Sequence, residues 1–255
     1  MTLEDRVALV TGGGTGIGRG VSEALARQGV KVAVNYSQSK EGAEEVVRHI
    51  MAAGGVAEPI QGSVADEADV RRMIGQIERE FGRLDLVVNN AGWSTRIPHE
   101  RLEDLTDEIW DRTLNTNLRG AFYCARAALP LLKKQSGSSI VNIASVAGIT
   151  GMGSSIVYAA SKAALLSMTR SLARALAPEV RVNAVAPGFV RTRFANWPST
   201  AFDEGEAQSP LGVLATPEDI AEAVVFLARS GAITGETILV DGGTTTLGPR
   251  YRKHV

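Results

Sequence analysis

Apolar positions along this chain follow two rhythms. Short runs rich in apolar and β-branched residues, most of them without alternation, recur at 7–10, 30–34, 56–60, 84–88, 140–144, 180–186 and 237–240. Between them, at 16–28, 40–53, 65–80, 107–134, 155–176 and 217–228, apolar residues return every three or four positions. An unbroken run suits a strand covered on both faces, as in a parallel sheet, and the longer period suits amphipathic helices. Strand–helix alternation from end to end predicts an α/β fold: a doubly wound parallel sheet of about seven strands with helices on both faces. Two punctuation marks sharpen the pattern. Thr216-Pro217-Glu218-Asp219 places a capping hydroxyl before a first-turn proline and acids, so a helix starts there. Pro178 lacks an N–H and ends the helix before it.

No repeat, low-complexity tract or linker divides the 255 residues. One domain is expected over 1–247, with a lid-like stretch at about 193–215 and a basic tail at 248–255 that frays or meets another subunit. A chain of this length buries about three quarters of its extended surface and needs no disulfide or metal to fold. Its lone Cys124 reads as a small buried hydrophobe and fits a reducing, cytoplasmic compartment. The 27 basic and 28 acidic residues leave a formal charge of −1, which gives no electrostatic case for nucleic acid or an acidic membrane. The N-terminus, Met1-Thr2-Leu3-Glu4-Asp5, does not read as a signal peptide, and no run approaches the ~20 apolar residues of a membrane span.

The first strand leads into Thr11-Gly12-Gly13-Gly14-Thr15-Gly16-Ile17-Gly18 and then a helix. Glycines there allow a tight turn and close approach of backbone to a pyrophosphate, and the helix start offers unpaired N–H groups. The spacing is G-x-x-x-G-x-G, not the generic dinucleotide G-x-G-x-x-G, so taken alone the turn is also compatible with a plain strand-to-helix connection. At the end of the second strand, Asn35-Tyr36-Ser37 carries no acid to hold two ribose hydroxyls. A 2′-phosphate would meet no repulsion there, and Arg19, Ser37, Ser39 and Lys40 are candidate donors. NADP(H) is therefore preferred over NAD(H), with dual specificity if those cations are merely solvated. The fourth strand ends in Asn89-Asn90-Ala91-Gly92, where Asn89 would brace the crevice and Gly92 lets backbone pass close to a cofactor.

Tyr158 and Lys162 stand at i and i+4 and share one helix face. A free tyrosine titrates near pH ~10, too high for efficient proton transfer at neutrality. A neighbouring ammonium would lower that by roughly 1–3 units and has hydrogen bonds left over for ribose hydroxyls. The pair alone is weak, because most such pairs are surface neighbours. Context strengthens it: Ser145 closes an apolar run thirteen residues earlier, at a strand end facing the same crevice. Its hydroxyl would orient a substrate carbonyl.

With these elements in order, from Thr11-Gly12-x-x-x-Gly16-x-Gly18 through Asn89-Asn90-Ala91-Gly92, Asn117, Ser145, Tyr158-x-x-x-Lys162 and Asn183-Ala184-Val185-Ala186-Pro187-Gly188 to Asp241-Gly242-Gly243, the chain resembles the short-chain dehydrogenase/reductase family, nearest its 3-oxoacyl reductases and related sugar, polyol and carbonyl reductases. The resemblance implies a Rossmann-type fold and four catalytic residues. Tyr158 is the acid–base group, Lys162 lowers its pKa and binds the nicotinamide ribose, Ser145 steadies the reacting oxygen, and Asn117 holds a water in a relay to Lys162. Asn117 fits better than Asn115 because Leu118-Arg119-Gly120 follows it. The implied cofactor cradle is Gly12, Thr15, Gly16, Ile17, Gly18, Asn35, Tyr36, Ser37, Ser63, Val64, Asn89, Ala91, Gly92, Tyr158, Lys162, Pro187, Gly188, Val190 and Thr192, with no metal. Ser63 stands where the family carries an aspartate toward adenine. A homotetramer is also implied.

The least family-like segments should set the substrate: Trp93-Ser94-Thr95-Arg96, Gly151-Met152-Gly153 and Phe194-Ala195-Asn196-Trp197-Pro198. Their aromatics either line a partly apolar pocket or pack the lid, and Arg96 either meets an anionic substrate or stays on the surface. Ser136 and Glu179 stand where carrier-protein reductases would present cations. The expected activity is hydride transfer between NADP(H) and a carbonyl/secondary alcohol pair, whether 3-oxoacyl, sugar, polyol or another ketone. The alternatives are an NAD(H)-dependent alcohol or polyol dehydrogenase of the same fold, and a non-enzymatic cofactor-sensing scaffold. An epimerase or dehydratase of the longer branch would need a larger C-terminal domain.

Overall fold

Seven parallel strands form one sheet in the order β3-β2-β1-β4-β5-β6-β7 in the computed structural model, which describes residues 2–250. The strands are β1 (Val7–Val10), β2 (Lys31–Tyr36), β3 (Ala57–Gln61), β4 (Leu86–Asn89), β5 (Ser138–Ile143), β6 (Val180–Pro187) and β7 (Thr237–Val240). The order reverses between β1 and β4. That reversal makes the switch point where ligands sit in this architecture, outside the strand carboxyl ends.

Strand alternation splits the core in two. Ala8 and Val10 of β1, with Val32 and Val34 of β2, face α1 (Gly16–Arg27), α2 (Lys40–Ala52) and α9 (Pro217–Arg229). Val7 and Leu9 face the other way, onto α3 (Glu67–Phe81), α5 (Gly120–Leu132) and the C-terminal end of α7 (Ile156–Leu176). All four β1 residues are buried, so the lack of alternation in the sequence reflects cover on both faces. Leu9, Leu25, Ile77 and Leu132 are among the fully buried side chains, and truncating one to alanine costs about 2–5 kcal/mol. Pro59 falls in β3, an edge strand, where a missing N–H is tolerated.

Helix starts follow the expected capping chemistry. Thr216 Oγ1 accepts from the N–H of Asp219, whose carboxylate accepts from the Thr216 N–H in return. Ser155 caps α7 by accepting from the N–H of Tyr158.

The stretch at 107–134 corrects an expectation. Instead of one helix it is α4 (Asp107–Leu114), a π turn (Asn115–Arg119) and α5. The wider turn rotates the residues after it and lets Asn117 point inward. Three helices were not anticipated: α6 (Ala147–Thr150), α8 (Ser199–Gln208) and α10 (Thr244–Leu247). The lid stretch opens on a short 3-10 turn, Phe194–Asn196, and continues into α8. Arg250 is tied to α8 by its N–H on the Gln208 carbonyl; the rest of the basic tail, 251–255, lies outside the described residues. Among the described residues no helix is long and apolar enough to cross a membrane, and no acid, histidine and cysteine cluster suits a metal.

Candidate active site

The crevice floor is the glycine turn between β1 and α1. Gly12 adopts φ +61 and Gly16 φ +50, backbone states open to glycine. A Cβ on Gly18 would collide with the carbonyl of Gly12 and the side-chain amide of Asn90, so the first helical turn packs directly under the loop. Thr15 does not cap α1 with its side chain, which leaves the amides at the helix start facing the crevice with the positive end of the helix dipole. Gly16 also lies against Thr192, bringing the segment after β6 over the phosphate end of the turn.

The chemistry gathers at the end of β5. Ser145 stands two residues beyond that strand, and its side chain hydrogen-bonds Tyr158 of α7. One turn further along α7, the Lys162 ammonium donates to the carbonyl of Ile143 at 2.7 Å and lies 5.7 Å from the centre of the Tyr158 ring. Lys162 is buried, and burial holds its pKa down at about 8. Tyr158 is half-buried, and the same desolvation pushes its phenol up to about 12, opposed by the Ser145 hydrogen bond. The expected lowering of the tyrosine pKa by lysine is therefore not found in the protein alone: burial sets the direction, and what opposes it comes from Ser145. Gly92 is bare at this point. A Cβ there would lie 3.8 Å from the Lys162 ammonium and 3.5 Å from Asn117 Oδ1, so the gap opens onto the lysine.

Asn117 is fully engaged. Its Oδ1 accepts from the Trp93 N–H at 2.7 Å, and its Nδ2 donates to the Trp93 carbonyl and to Ser161 Oγ, both at 3.0 Å. The side chain thus clamps the loop after β4 to α7, and Arg112 stacks on the Trp93 ring from outside.

Other expected residues land at the crevice rim. Pro187 and Gly188 close β6, with the Val146 N–H on the Pro187 carbonyl joining them to the Ser145 turn. Val190 bridges to Ala215 at the lid base, Ala91 donates its N–H to Thr11, and Val64 packs on the bare face of Gly120. Tyr36 is buried and Ser37 exposed at the end of β2, beside the glycine turn that also carries Ile17.

Three expectations change. The Asn35 side chain does not face a ribose. It accepts from the Gly12 N–H and donates to the carbonyls of Ile60 and Gly62, because alternation along β2 turns residue 35 to the sheet face opposite the one where Val34 and Tyr36 are buried. Arg19 is committed to Glu23 and Glu45 at 3.0 and 2.9 Å, not free for a phosphate. Asn89 donates to Asn142 and to the Ala121 carbonyl, bracing strands below the crevice rather than lining it. Ser63 stays near the rim, where its Oγ accepts from the Ala65 N–H and its own N–H is taken by Asp69.

The chain is similar to known proteins over nearly its whole length. Residues 12–245 match the family described as Enoyl-(Acyl carrier protein) reductase. The chain is 43% identical over 240 residues to the 3-oxoacyl-(acyl-carrier-protein) reductase FabG of Staphylococcus aureus, covering 92% of this chain and 96% of that one. It is 40% identical over 248 residues to the 3-oxoacyl-(acyl-carrier-protein) reductase of Synechocystis, covering 94% and 97%. A short chain dehydrogenase from Burkholderia cenocepacia, solved in complex with NADP, superposes with a TM-score of 0.88 at 35% identity over 96% of this chain and 100% of that chain.

The chain belongs to the short-chain dehydrogenase/reductase family. It is an oxidoreductase of that family, and the bare turn at Gly12–Gly18 with the gap at Gly92 fits a nicotinamide dinucleotide. In this short-chain dehydrogenase/reductase, two residues overlooked as site residues hold the crevice together. Asn90 Nδ2 donates to the carbonyls of Thr11 (2.8 Å) and Gly12 (3.1 Å), and Thr11 Oγ1 accepts the N–H groups of Asn90 and Ala91, both at 2.9 Å. Both stand in motifs visible in the sequence. Their inward direction was the missing signal.

Proposed function

We propose that this oxidoreductase prefers NADP(H) and interconverts a ketone and a secondary alcohol, with Tyr158 as general acid and base. The observation that carries the reading is the meeting of the Tyr158 phenol, Ser145 hydroxyl and Lys162 ammonium beside the open backbone of Gly92. Bound in the crevice, the reduced nicotinamide supplies the hydride. Ser145 donates a hydrogen bond to the carbonyl oxygen and holds it against Tyr158. With its pKa near 12 the phenol is fully protonated at neutrality and gives its proton to the developing alkoxide; in the reverse direction it takes the alcohol proton. Lys162 holds the ribose and stabilises the phenolate as it forms. Asn117 keeps the loop after β4 in place so that Gly92 stays open.

The coenzyme preference rests on the neutral end of β2. No carboxylate stands at Tyr36 or Ser37, and Ser37, Ser39 and Lys40 are exposed beside it, Lys40 in a long, solvated pair with Glu44 at 3.6 Å, so they are the donors for a 2′-phosphate once the more tightly paired Arg19 is set aside. The NADP complex of the Burkholderia cenocepacia relative supports the same choice. A cytoplasmic homotetramer is proposed on family grounds. The test is a panel of 3-oxoacyl, sugar and simple ketones with each coenzyme, followed by nicotinamide absorbance. Turnover with NADPH exceeding that with NADH is expected. Equal use of both would refute the phosphate-site reading, and no turnover of any ketone would refute the reaction.

A further inference from the structure

The Tyr158 ring has two close neighbours besides Lys162. One is Gly153, where a Cβ would approach the ring carbon Cδ1 to 3.2 Å. The other is Phe194, with ring centres 5.7 Å apart and planes tilted by 52°. Phe194 is carried by a turn in which the next two residues, Ala195 (φ 58) and Asn196 (φ 48), both sit in the left-handed region, which asparagine enters readily and alanine only under strain. That strain is held by anchors on either side. Trp197 packs edge-on against Phe189 at 5.2 Å and lies under the Arg96 guanidinium. Arg191 bridges to Asp203 and Glu206 of α8.

The turn thus holds Phe194 beside the acid–base tyrosine with the residue still 38% exposed, so it offers apolar surface next to the reacting group. Ile149 and Met152, from the segment between Ser145 and Tyr158, are also exposed. Of the cations on this side, Arg96 lies on Trp197 and Arg191 on two carboxylates.

We propose that Phe194 is a specificity-determining residue: its exposed face is the wall against which the substrate's substituent stacks, and the site selects a ketone carrying an aryl group beside the carbonyl over a small aliphatic one. This rests on the reductase reading above. A flat ring placed there stacks in the offset or edge-on arrangements that aromatic pairs prefer and keeps the carbonyl within reach of Tyr158 and Ser145.

The test compares the purified wild type with Phe194→Ala and Phe194→Leu, using acetophenone and butanone as probes with NADPH. The wild type is expected to show a higher kcat/KM for acetophenone. That ratio should fall on the order of tenfold in Phe194→Ala, mainly through KM, and by less in Phe194→Leu. A ratio unchanged in both variants, or one that rises because the ring acted as a plug, overturns the role of Phe194 while leaving the reductase reading intact. NADPH binding by the wild type with no oxidation of it by either ketone overturns this inference, while the reductase reading is overturned only if the 3-oxoacyl and sugar ketones of the wider panel are not reduced either.

Discussion

The Lys162 ammonium lies 5.7 Å from the ring centre of Tyr158, and its hydrogen bond goes to the Ile143 carbonyl rather than to the phenol. The two groups are therefore assembled side by side without being bonded. Burial moves both toward their neutral forms, the phenol up to about 12 and the ammonium down to about 8.

A pH dependence follows for the reductive direction. Tyr158 remains a proton donor throughout the working range, so its ionisation sets no upper limit below about 12. Lys162 does set one, because it loses its charge above about 8 and with it the field that stabilises the forming phenolate. The kcat/KM for ketone reduction should be flat from pH 6 to 7.5 and fall toward tenfold per unit above the lysine pKa. A profile flat to pH 10 would separate Lys162 from proton transfer.

Lys162 also makes the active site a burden on stability. Its pKa is lower in the folded chain than its ordinary 10.5, so the unfolded chain binds the extra proton between those values. The penalty is fully present below about 8 and is relieved as pH rises from there toward 10.5, an upper limit of about 3 kcal/mol. Urea melts of the wild type and Lys162→Met should therefore converge or cross in the wild type's favour as pH rises from 7 to 10. A stability difference independent of pH would show that the ammonium carries no such penalty.

Asn90 is expected to matter for folding and cofactor binding together. Asn90→Ala removes both bonds to the Thr11 and Gly12 carbonyls and leaves them unpaired, costing about 1–3 kcal/mol. It also loosens the glycine turn, so dinucleotide affinity should drop on the order of tenfold in a fluorescence titration. Destabilisation with unchanged affinity would limit Asn90 to a structural role.

Much of this arrangement is legible in the sequence because parallel strands and capped helices leave strong local marks. The run at 237–240 is β7 to the residue, and Thr216-Pro217 opens α9. What the sequence hides depends on direction or on tertiary context. The periodicity at 107–134 is continuous through Asn115–Arg119, so it carries no mark of the π turn that aims Asn117 inward. α8 is largely polar and buries only Phe202, so its apolar period is too weak to read. At Asn35 and at the pair Asn89-Asn90, motif reading found the right segment, but only the backbone decides which hydrogen bonds each side chain makes. Arg19 was a plausible phosphate ligand until packing brought Glu45 of α2 within 2.9 Å.

The most direct check on the whole account is Tyr158→Phe, which deletes one hydroxyl and keeps the ring beside Phe194. NADPH binding, followed by fluorescence, should stay within about threefold of the wild type, while ketone reduction falls by roughly 10²–10⁴-fold. Turnover at the wild-type rate with the phenol gone would contradict it.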